Sequence, residues 1–236
     1  MTGRTLNPVE RAVGWVVGIP FASWRYVSRE IEVRHEQSSC SWPIDAFPAD
    51  DCQYPGEPEL LQRPSLGSGA AFRRLYRVRI ERALLSATEL MSIVIAEPNV
   101  ACPLEIGRFE RDVENSQPME VGEEMRIRLP GPWNGPVRVI HVTDRLFRLA
   151  TLRGHMEAGE IEFRAYDEDG RLVFEIESWA RSSDRIFDFL YDRLGIAREL
   201  QLDMWAFFLE RVAQVSGGAA LLGIEVETLR CDDHPL

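Results

Sequence analysis

Alternating apolar and polar positions run through the middle of the chain. In FRRLYRVRIERA (72–83), every second residue from Tyr76 to Ile80 is apolar, and Arg77 and Arg79 lie between them. This two-residue period predicts a strand with one apolar face. The same period recurs in five further stretches, which are 122–129, 137–142, 145–152, 159–166 and 171–180.

Short turn segments separate these stretches and predict how the strands pair. DEDG (167–170) lies between two alternating runs and is a strong hairpin signal. PGPWNGP (130–136) contains the Pro-Gly and Asn-Gly pairs that are typical of turns. Successive strands with short connections predict an antiparallel meander. Within it, Val137, Val139 and His141 are expected on one face of the 137–142 strand.

Two segments have the spacing of helices instead. SATELMSIVIAEP (86–98) begins with Ser86 and has Glu89 three residues later, which is the pattern of a capping box. Residues 182–218 carry apolar side chains at steps of three and four and end at Gly217 and Gly218. If unbroken, this second helix would be about 50 Å long at ~1.5 Å per residue.

The N-terminal third is organised differently. A helix is expected to begin at Asn7, with Pro8 in its first turn, and to stop before Pro20. Residues 37–70 are rich in Pro, Ser, Gly and Asp without a sustained period and are expected to be an irregular connector. The predicted division is therefore a helical extension (1–36), a connector (37–70), a main domain (71–218) and a C-terminal tail (219–236), where 222–230 could add a short strand.

This order of elements predicts an α+β fold of the helix-grip type. A curved antiparallel sheet of about six to seven strands would wrap around the long C-terminal helix. A sheet and helix in this arrangement leave a space between them, and such a space is suited to an apolar ligand.

Two sequence blocks resemble a known family. The first is GHMEAGEIEF (154–163), and the second is DGRLVFEIESWAR (169–181). They resemble a bacterial and plant family known only as a domain of unknown function (number nineteen-ninety), which shares a Gly-His-x-Glu-x-Gly-Glu core. Gln201 and the Gly67-x-Gly69-x-x-Phe72 segment also match the family pattern, so the resemblance covers roughly residues 66–216. It implies the START-like, birch-allergen-like helix-grip fold and implies no reaction.

Net charge and composition limit the kinds of partner and the kinds of site that the chain is expected to have. The formal net charge is −11, and all 27 basic residues are arginine. An acidic chain repels phosphate backbones, so nucleic acid is an unfavourable partner. The absence of lysine excludes a Schiff-base lysine and the lysine of a phosphate-binding loop. A GC-rich genome is the simplest explanation for that absence.

The cysteines and the hydropathy pattern predict a compartment. Cys40, Cys52, Cys102 and Cys231 form no Cys-x-x-Cys pair. No cleavable signal is recognisable, and no run reaches the ~18 apolar residues needed to span a membrane. We therefore expect a soluble cytoplasmic protein with reduced thiols, although a Cys40–Cys52 bridge is sterically conceivable.

His155 and Glu157 are the main candidates for chemistry. A zinc deaminase would need a His-x-Glu followed by two thiolates in Pro-Cys-x-x-Cys, which this sequence lacks. No metal and no cofactor are therefore expected. The favoured interpretation is that His155 bonds the backbone of a glycine-flanked turn. The alternative is that both side chains lie at the rim of the ligand space, as ligand-binding residues or as candidate catalytic groups.

Other ligand-binding candidates are weighed against ordinary packing. They are Trp133, Arg153, Met204 and Phe208. Trp133 is better explained as a hairpin-tip aromatic than as a lid, and Met204 and Phe208 as core residues of the helix. Glutamates 160, 162, 175 and 177 are expected on a solvated face, paired with Arg164 and Arg181.

Three functions stay open at this point. The favoured one is binding of a small hydrophobic or amphipathic ligand. The second is an enzyme of cyclase or dehydratase type that uses acids within the ligand space. The third is a protein-interaction module that uses the proline-rich 37–66 segment.

Overall fold

The computed structural model describes residues 33–41, 54–103, 107–112, 117–128, 134–183 and 196–232. The strands are β1 (Val33–Ser41), β2 (Ser68–Glu81), β3 (Arg108–Arg111), β4 (Glu124–Arg128), β5 (Asn134–Val142), β6 (Leu146–Thr151), β7 (Glu157–Glu168), β8 (Arg171–Ser182) and β9 (Ala219–Asp232). The α-helices are α1 (Ala87–Ala96) and α2 (Ile196–Val215). Within the described residues, the nine strands form one mixed sheet in the order β1-β9-β2-β8-β7-β6-β5-β4-β3. The helix expected to begin at Asn7 lies outside them.

One face of the sheet, here called the core face, carries the side chains that the alternation predicts. Tyr76, Val78 and Ile80 on β2 are at most 1% exposed. Phe163 on β7 and Phe174 on β8 are fully buried on the same face. Both helices contribute to this core. Burial of this apolar surface is the main source of stability for the fold.

The boundaries of α1 are those that the sequence predicts. Ser86 and Glu89 form the reciprocal capping box, with the Glu89 amide donating to the Ser86 hydroxyl at 3.3 Å and the Ser86 amide donating to the Glu89 carboxylate at 2.8 Å. The helix packs its apolar stripe, including Leu90 and Val94, into the core. The capping-box prediction is confirmed.

The C-terminal helix is shorter in the described residues than predicted. Ser182, expected at the start of the helix as part of its Ser/Asp cap, is instead the last residue of β8. The described helix α2 has 20 residues, or about 30 Å, and residues 184–195 lie outside the described ranges. Its predicted end is confirmed, because Gly217 has φ +76° and the Gly218 amide donates to the Ala213 carbonyl at 3.1 Å. This is a Schellman motif.

The sheet is wider than the predicted six to seven strands. Strand β9 pairs antiparallel with β2, and β1 then pairs parallel with β9. Ile224 and Val226 of β9 extend the core face beside Val78 and Tyr76. The expected boundary between residues 36 and 37 thus falls within β1, and residues 219–232 of the expected tail form an interior strand.

Strand β5 corrects one predicted face. The register of β5 against β6 shifts between Val139 and His141. After this bulge, Val142 lies opposite Phe147 and packs against the core. His141 was expected to share a face with Val139, but the extra residue of the bulge reverses the alternation.

The opposite face of the sheet, here called the outer face, is partly covered by residues 54–66. This segment contains two short 3-10 turns, Pro58–Leu60 and Pro64–Leu66. Leu61 forms a bridge with Leu152 and packs in a small second core. The Arg138 guanidinium, itself buried, donates to the Pro55 carbonyl at 2.9 Å. The segment is therefore anchored to the sheet by apolar and polar contacts.

Candidate functional site

Residues 154–157 form a tight turn into β7. Gly154 has φ +98°, a conformation that favours glycine. The His155 Nδ1 accepts a hydrogen bond from the Glu157 amide at 2.9 Å. A backbone amide always donates, so Nδ1 is the acceptor in this bond, and the same nitrogen also lies 3.1 Å from the Glu157 carbonyl oxygen. The bond is the one that the structural interpretation of His155 requires.

Gln62 holds this turn from outside the motif. Its Nε2 donates to the carbonyls of His155 and Glu157, at 2.9 Å in each case. Its Oε1 accepts from the Gly154 amide at 3.3 Å. Gln62 lies in the aperiodic connector, and the sequence contains no local signal that could have identified it.

Gly159, the second glycine of the motif, is required for a steric reason. A Cβ at Gly159 would lie 2.0 Å from the Trp179 carbonyl oxygen on β8. The Gly159 amide also donates to the Thr151 hydroxyl at 2.9 Å. No side chain fits this approach of the strands, so the glycine is required by the sheet itself.

The Glu157 side chain lies on the core face of the sheet, at the start of β7. It lies opposite Ser182 in the register of β7 and β8. Its Oε1 is 3.9 Å from an Arg74 guanidinium nitrogen. Arg74 is only 3% exposed and shares the core face of β2 with Tyr76. Burial raises the pKa of the Tyr76 hydroxyl to about 12, with Arg74 lowering and Glu157 raising it.

Arg74 and Glu157 belong to a larger polar group at this end of the core face. The Arg74 and Arg230 guanidinium carbons lie 4.6 Å and 5.7 Å from the centre of the Phe72 ring, within the range of cation–π contacts. Thr228 and Ser178 flank Arg74 in the register on either side. The polar cluster is defined here as Phe72, Arg74, Glu157, Ser178, Thr228 and Arg230.

Further along the same face, the side chains are aromatic. The Phe163 ring stacks on Phe147 with centroids 4.5 Å apart. Trp205 and Phe208 of α2 contact Phe163 at 5.4 Å and 5.6 Å. Phe174 completes the set at 6.2 Å from Phe208. The aromatic cluster is defined here as Phe147, Phe163, Phe174, Trp205 and Phe208.

The structure brings only some of the candidate ligand residues together. His155 and Glu157 are adjacent at the polar cluster, while Phe208 is fully buried in the aromatic cluster. Met204 is 3% exposed on the same helix. Arg153 is exposed, and its guanidinium donates to the Glu59 carbonyl at 3.3 Å. Trp133 and the side chain of Gln201 lie outside the described residues.

Burial makes His155 a weak base. It lowers the pKa of the His155 imidazole, and the neighbouring Glu157 only partly offsets that effect. A Cβ at Gly135 would lie 2.9 Å from the His155 Nε2, so β5 packs closely against the ring. The imidazole is therefore held neutral between β5 and the turn.

The strand glutamates lie on the outer face, and they are less solvated than expected. Glu162, Glu175 and Glu177 are between 1% and 5% exposed. Arg164 contacts all three carboxylates, at 3.0, 2.5 and 2.7 Å. Arg181 donates to the Gly69 carbonyl at 2.6 Å. The pairing of the glutamates with Arg164 is confirmed, and their pairing with Arg181 stays a prediction.

The structure also bears on the predictions for the cysteines, for a metal site and for a membrane span. Cys231 is disulfide-bonded, so the expectation of reduced thiols is wrong for this residue. Cys40 is its register partner on β1. Across the described ranges, no three His, Cys, Asp or Glu side chains are grouped to hold a metal ion. Among the helices described here, none is long and apolar enough to cross a membrane.

The fold is similar to several solved structures of low sequence identity. Hypothetical protein jhp0584 from Helicobacter pylori has a TM-score of 0.44 at 9% identity, covering 60% of this chain and 86% of that one. Ginseng major latex-like protein 151 from Panax ginseng has a TM-score of 0.40 at 8% identity, covering 59% and 98%. CalU16 from Micromonospora echinospora has a TM-score of 0.34 at 16% identity, covering 62% and 84%.

Sequence comparison gives a more restricted result. No curated protein matches the chain. The family model that matches covers residues 108–203, a shorter span than the 66–216 expected from the motifs. It includes the GHMEAGE turn, β7, β8 and the first part of α2. Over these residues, the chain matches the family described as Domain of unknown function (DUF1990), and the resemblance carried by the two motif blocks is confirmed.

Proposed function

We propose that the core face binds a small amphipathic ligand between the sheet and α2. The apolar body of the ligand packs against the aromatic cluster, and its polar group is held at the polar cluster. The observation that carries the proposal is the pair formed by the buried Arg74 and the part-buried Glu157, which lies on the same face as the apolar core.

The energetics of burial support a functional role for this pair. Removing a guanidinium and a carboxylate from water costs several kcal/mol for each ion, and a well-packed apolar pair is often as stable or more stable. At 3.9 Å, the closest Arg74–Glu157 contact is longer than a strong charge-assisted hydrogen bond. We propose that this long contact leaves room for the polar group of a ligand beside the two side chains.

The spacing of the two clusters sets the size of the ligand. Arg74 lies opposite Ser178, Ser178 lies opposite Ile161, and Phe163 is two residues further along β7. With ordinary strand spacing and rise, the Arg74 and Phe163 Cα atoms are about 12 Å apart. This distance suits a molecule of two to four fused rings, or a chain of about ten carbons.

The contacts of His155 favour binding over catalysis. Its Nδ1 is already occupied by the Glu157 amide, and its Nε2 faces Gly135. A general base needs a free nitrogen within reach of the substrate. Glu157 is the remaining acid–base candidate of the motif, and its carboxylate lies beside Arg74.

Titration with anilinonaphthalene sulfonate tests the proposal, because this probe combines a ring system with an anionic group. We expect saturable fluorescence enhancement with the folded protein. Arg74→Met should weaken binding at least tenfold, since a hydrogen bond to a charged group contributes about 1.5–3 kcal/mol. The matched control is Arg126→Met, which changes an exposed arginine of β4 and should leave the affinity within about twofold.

Two further measurements keep this test decisive. Glu157→Gln removes the carboxylate that competes for Arg74 and should tighten the binding of the sulfonate, even if Arg74→Met fails to fold. Cooperative thermal unfolding of each variant must be verified, because partly folded states also bind this probe. Absence of saturable binding by the folded wild type, or an unchanged affinity in both variants, would contradict the proposal.

A further inference from the structure

Trp205 has a buried donor that the protein does not use. The side chain lies on α2 and is 3% exposed. Its indole Nε1 is buried and has no hydrogen-bond partner in the structure described here. A buried donor without a partner costs about 1–3 kcal/mol, and such groups are rare in native proteins.

The surroundings of the indole explain why the protein supplies no acceptor. Trp205 meets Phe163 at 5.4 Å with planes 73° apart, and Phe208 at 6.0 Å with planes 72° apart. These are edge-to-face contacts of the indole with phenyl rings, which have no lone pair to accept a hydrogen bond. An N–H directed at a ring face gives a weak interaction that recovers only part of a hydrogen bond.

Phenylalanine would satisfy these apolar contacts without burying a donor. Tryptophan at this position is therefore unfavourable for the fold alone and becomes favourable when something else supplies an acceptor. We infer that Trp205 donates a hydrogen bond from its indole Nε1 to a carbonyl or ether oxygen of the bound ligand. This inference rests on the proposed function and adds a specific polar contact within the aromatic cluster.

The contact narrows the class of ligand. The neighbouring rings favour a flat apolar body, and the indole requires an oxygen acceptor on that body. An aromatic or polycyclic ketone meets both requirements. Discrimination against the matching hydrocarbon follows, because a site with a buried donor disfavours an analogue that leaves the donor unpaired.

Fluorenone and fluorene form a matched pair of probes that differ by the carbonyl group. Equilibrium dialysis against the full chain measures both affinities. We expect the wild type to bind fluorenone about tenfold more tightly than fluorene, which corresponds to one hydrogen bond of about 1.4 kcal/mol. Trp205→Phe keeps an aromatic ring and removes the donor, so it should bind the two probes with affinities within about twofold.

Trp179→Phe is the control variant. Trp179 is also buried, but it lies on the outer face, with the Arg148 guanidinium 5.6 Å above its ring. Its replacement should leave the tenfold preference unchanged. In the ¹H–¹⁵N NMR spectrum, the indole cross-peak that disappears in Trp205→Phe should move further downfield in its proton shift with fluorenone than with fluorene.

The outcomes separate this inference from the proposed function. Equal wild-type affinities for the two probes would overturn the inference and leave the proposed function in place. If anilinonaphthalene sulfonate binds but neither fluorene nor fluorenone binds, the inference is also overturned and the proposed function also stays in place. If none of the three probes binds, both the inference and the proposed function fail.

Discussion

The two faces of the sheet bury charged side chains in different ways. On the outer face, the Glu175 carboxylate is 1% exposed and accepts hydrogen bonds from Arg77, Arg164 and Tyr166. On the core face, the closest nitrogen–oxygen contact of Arg74 and Glu157 is 3.9 Å. The two faces therefore differ in how closely these oppositely charged groups approach each other.

The composition of the chain fits the outer-face network. Arg164 spans Glu162, Glu175 and Glu177 with its planar guanidinium. A lysine ammonium is a point charge and could not bridge several carboxylates with the same directionality. Burial lowers the pKa of Arg164, but Glu175 and the other two carboxylates more than reverse this effect, and the pKa is raised overall. Arg164 therefore stays charged at neutral pH.

The largest effect that separates the two faces is expected at Phe163. This ring is fully buried and contacts three other members of the aromatic cluster. Phe163→Ala should lower the free energy of unfolding by about 3–5 kcal/mol, because it removes apolar contacts and leaves a cavity. Urea denaturation followed by circular dichroism measures this change.

The matched control for this change is on the outer face. Leu75→Ala alters a residue of β2 that is 7% exposed and has charged neighbours on its strand face. We expect a smaller loss, of about 2 kcal/mol. If Leu75→Ala costs as much as Phe163→Ala, the core face is not the main hydrophobic core.

A smaller effect is expected for the outer-face network. Glu175→Gln keeps the shape of the side chain and removes the charge that holds Arg77 and Arg164. The expected loss is about 2 kcal/mol at pH 7, less than for a fully buried pair, because both arginines keep partial access to water. Urea denaturation gives the value. A loss below about 0.5 kcal/mol would show that the network is not stabilising.

Glu175→Gln should also differ from the wild type in how the free energy of unfolding depends on pH. Burial raises the pKa of Glu175, but Arg164 and Arg77 outweigh it, so the pKa lies below the usual value of 4.5. A carboxylate with a depressed pKa contributes stability that is present above 4.5 and is lost as the pH falls through the folded-state value. The wild type should therefore lose more stability than Glu175→Gln below pH 4.5. Parallel pH profiles of the two proteins would contradict the assignment.

The sequence predicts the local features of this fold well. The alternation from Tyr76 to Ile80 and the capping box at Ser86 depend on residues close in sequence, and both are found in the structure. The Asp169–Gly170 pair has the positive φ angles of a hairpin turn, as the DEDG segment predicts. These signals are reliable because each is generated by a single element.

Features that depend on contacts between distant segments of the chain could not be predicted from local sequence patterns. The placement of β9 beside β2 joins residues about 150 positions apart, and no periodicity encodes such a pairing. The extra residue in β5 moved Val142 to the core face in place of His141. For the candidate site, the sequence analysis identified Glu157 but not Arg74, although the two-residue period of β2 places Arg74 on the same face as Tyr76.

The smallest effect expected is at His155, where the turn meets the polar cluster. Its folded-state pKa lies below the usual value of 6.5 because desolvation of the part-buried ring disfavours the imidazolium. The folded chain therefore binds fewer protons than the unfolded chain as the pH falls below 6.5, and this group's contribution, which is complete above 6.5, is progressively lost. His155→Asn keeps an acceptor for the Glu157 amide and removes the titration.

We expect His155→Asn to cost about 1 kcal/mol at pH 7, since the principal hydrogen bond is preserved. The difference between wild type and variant should shrink as the pH is lowered from 7 to 5, which urea denaturation at each pH will measure. If His155 were instead doubly protonated in the folded state, the difference would grow over the same range. That result would mean that the imidazolium faces the Glu157 carboxylate. His155 would then have to be counted as a member of the polar cluster.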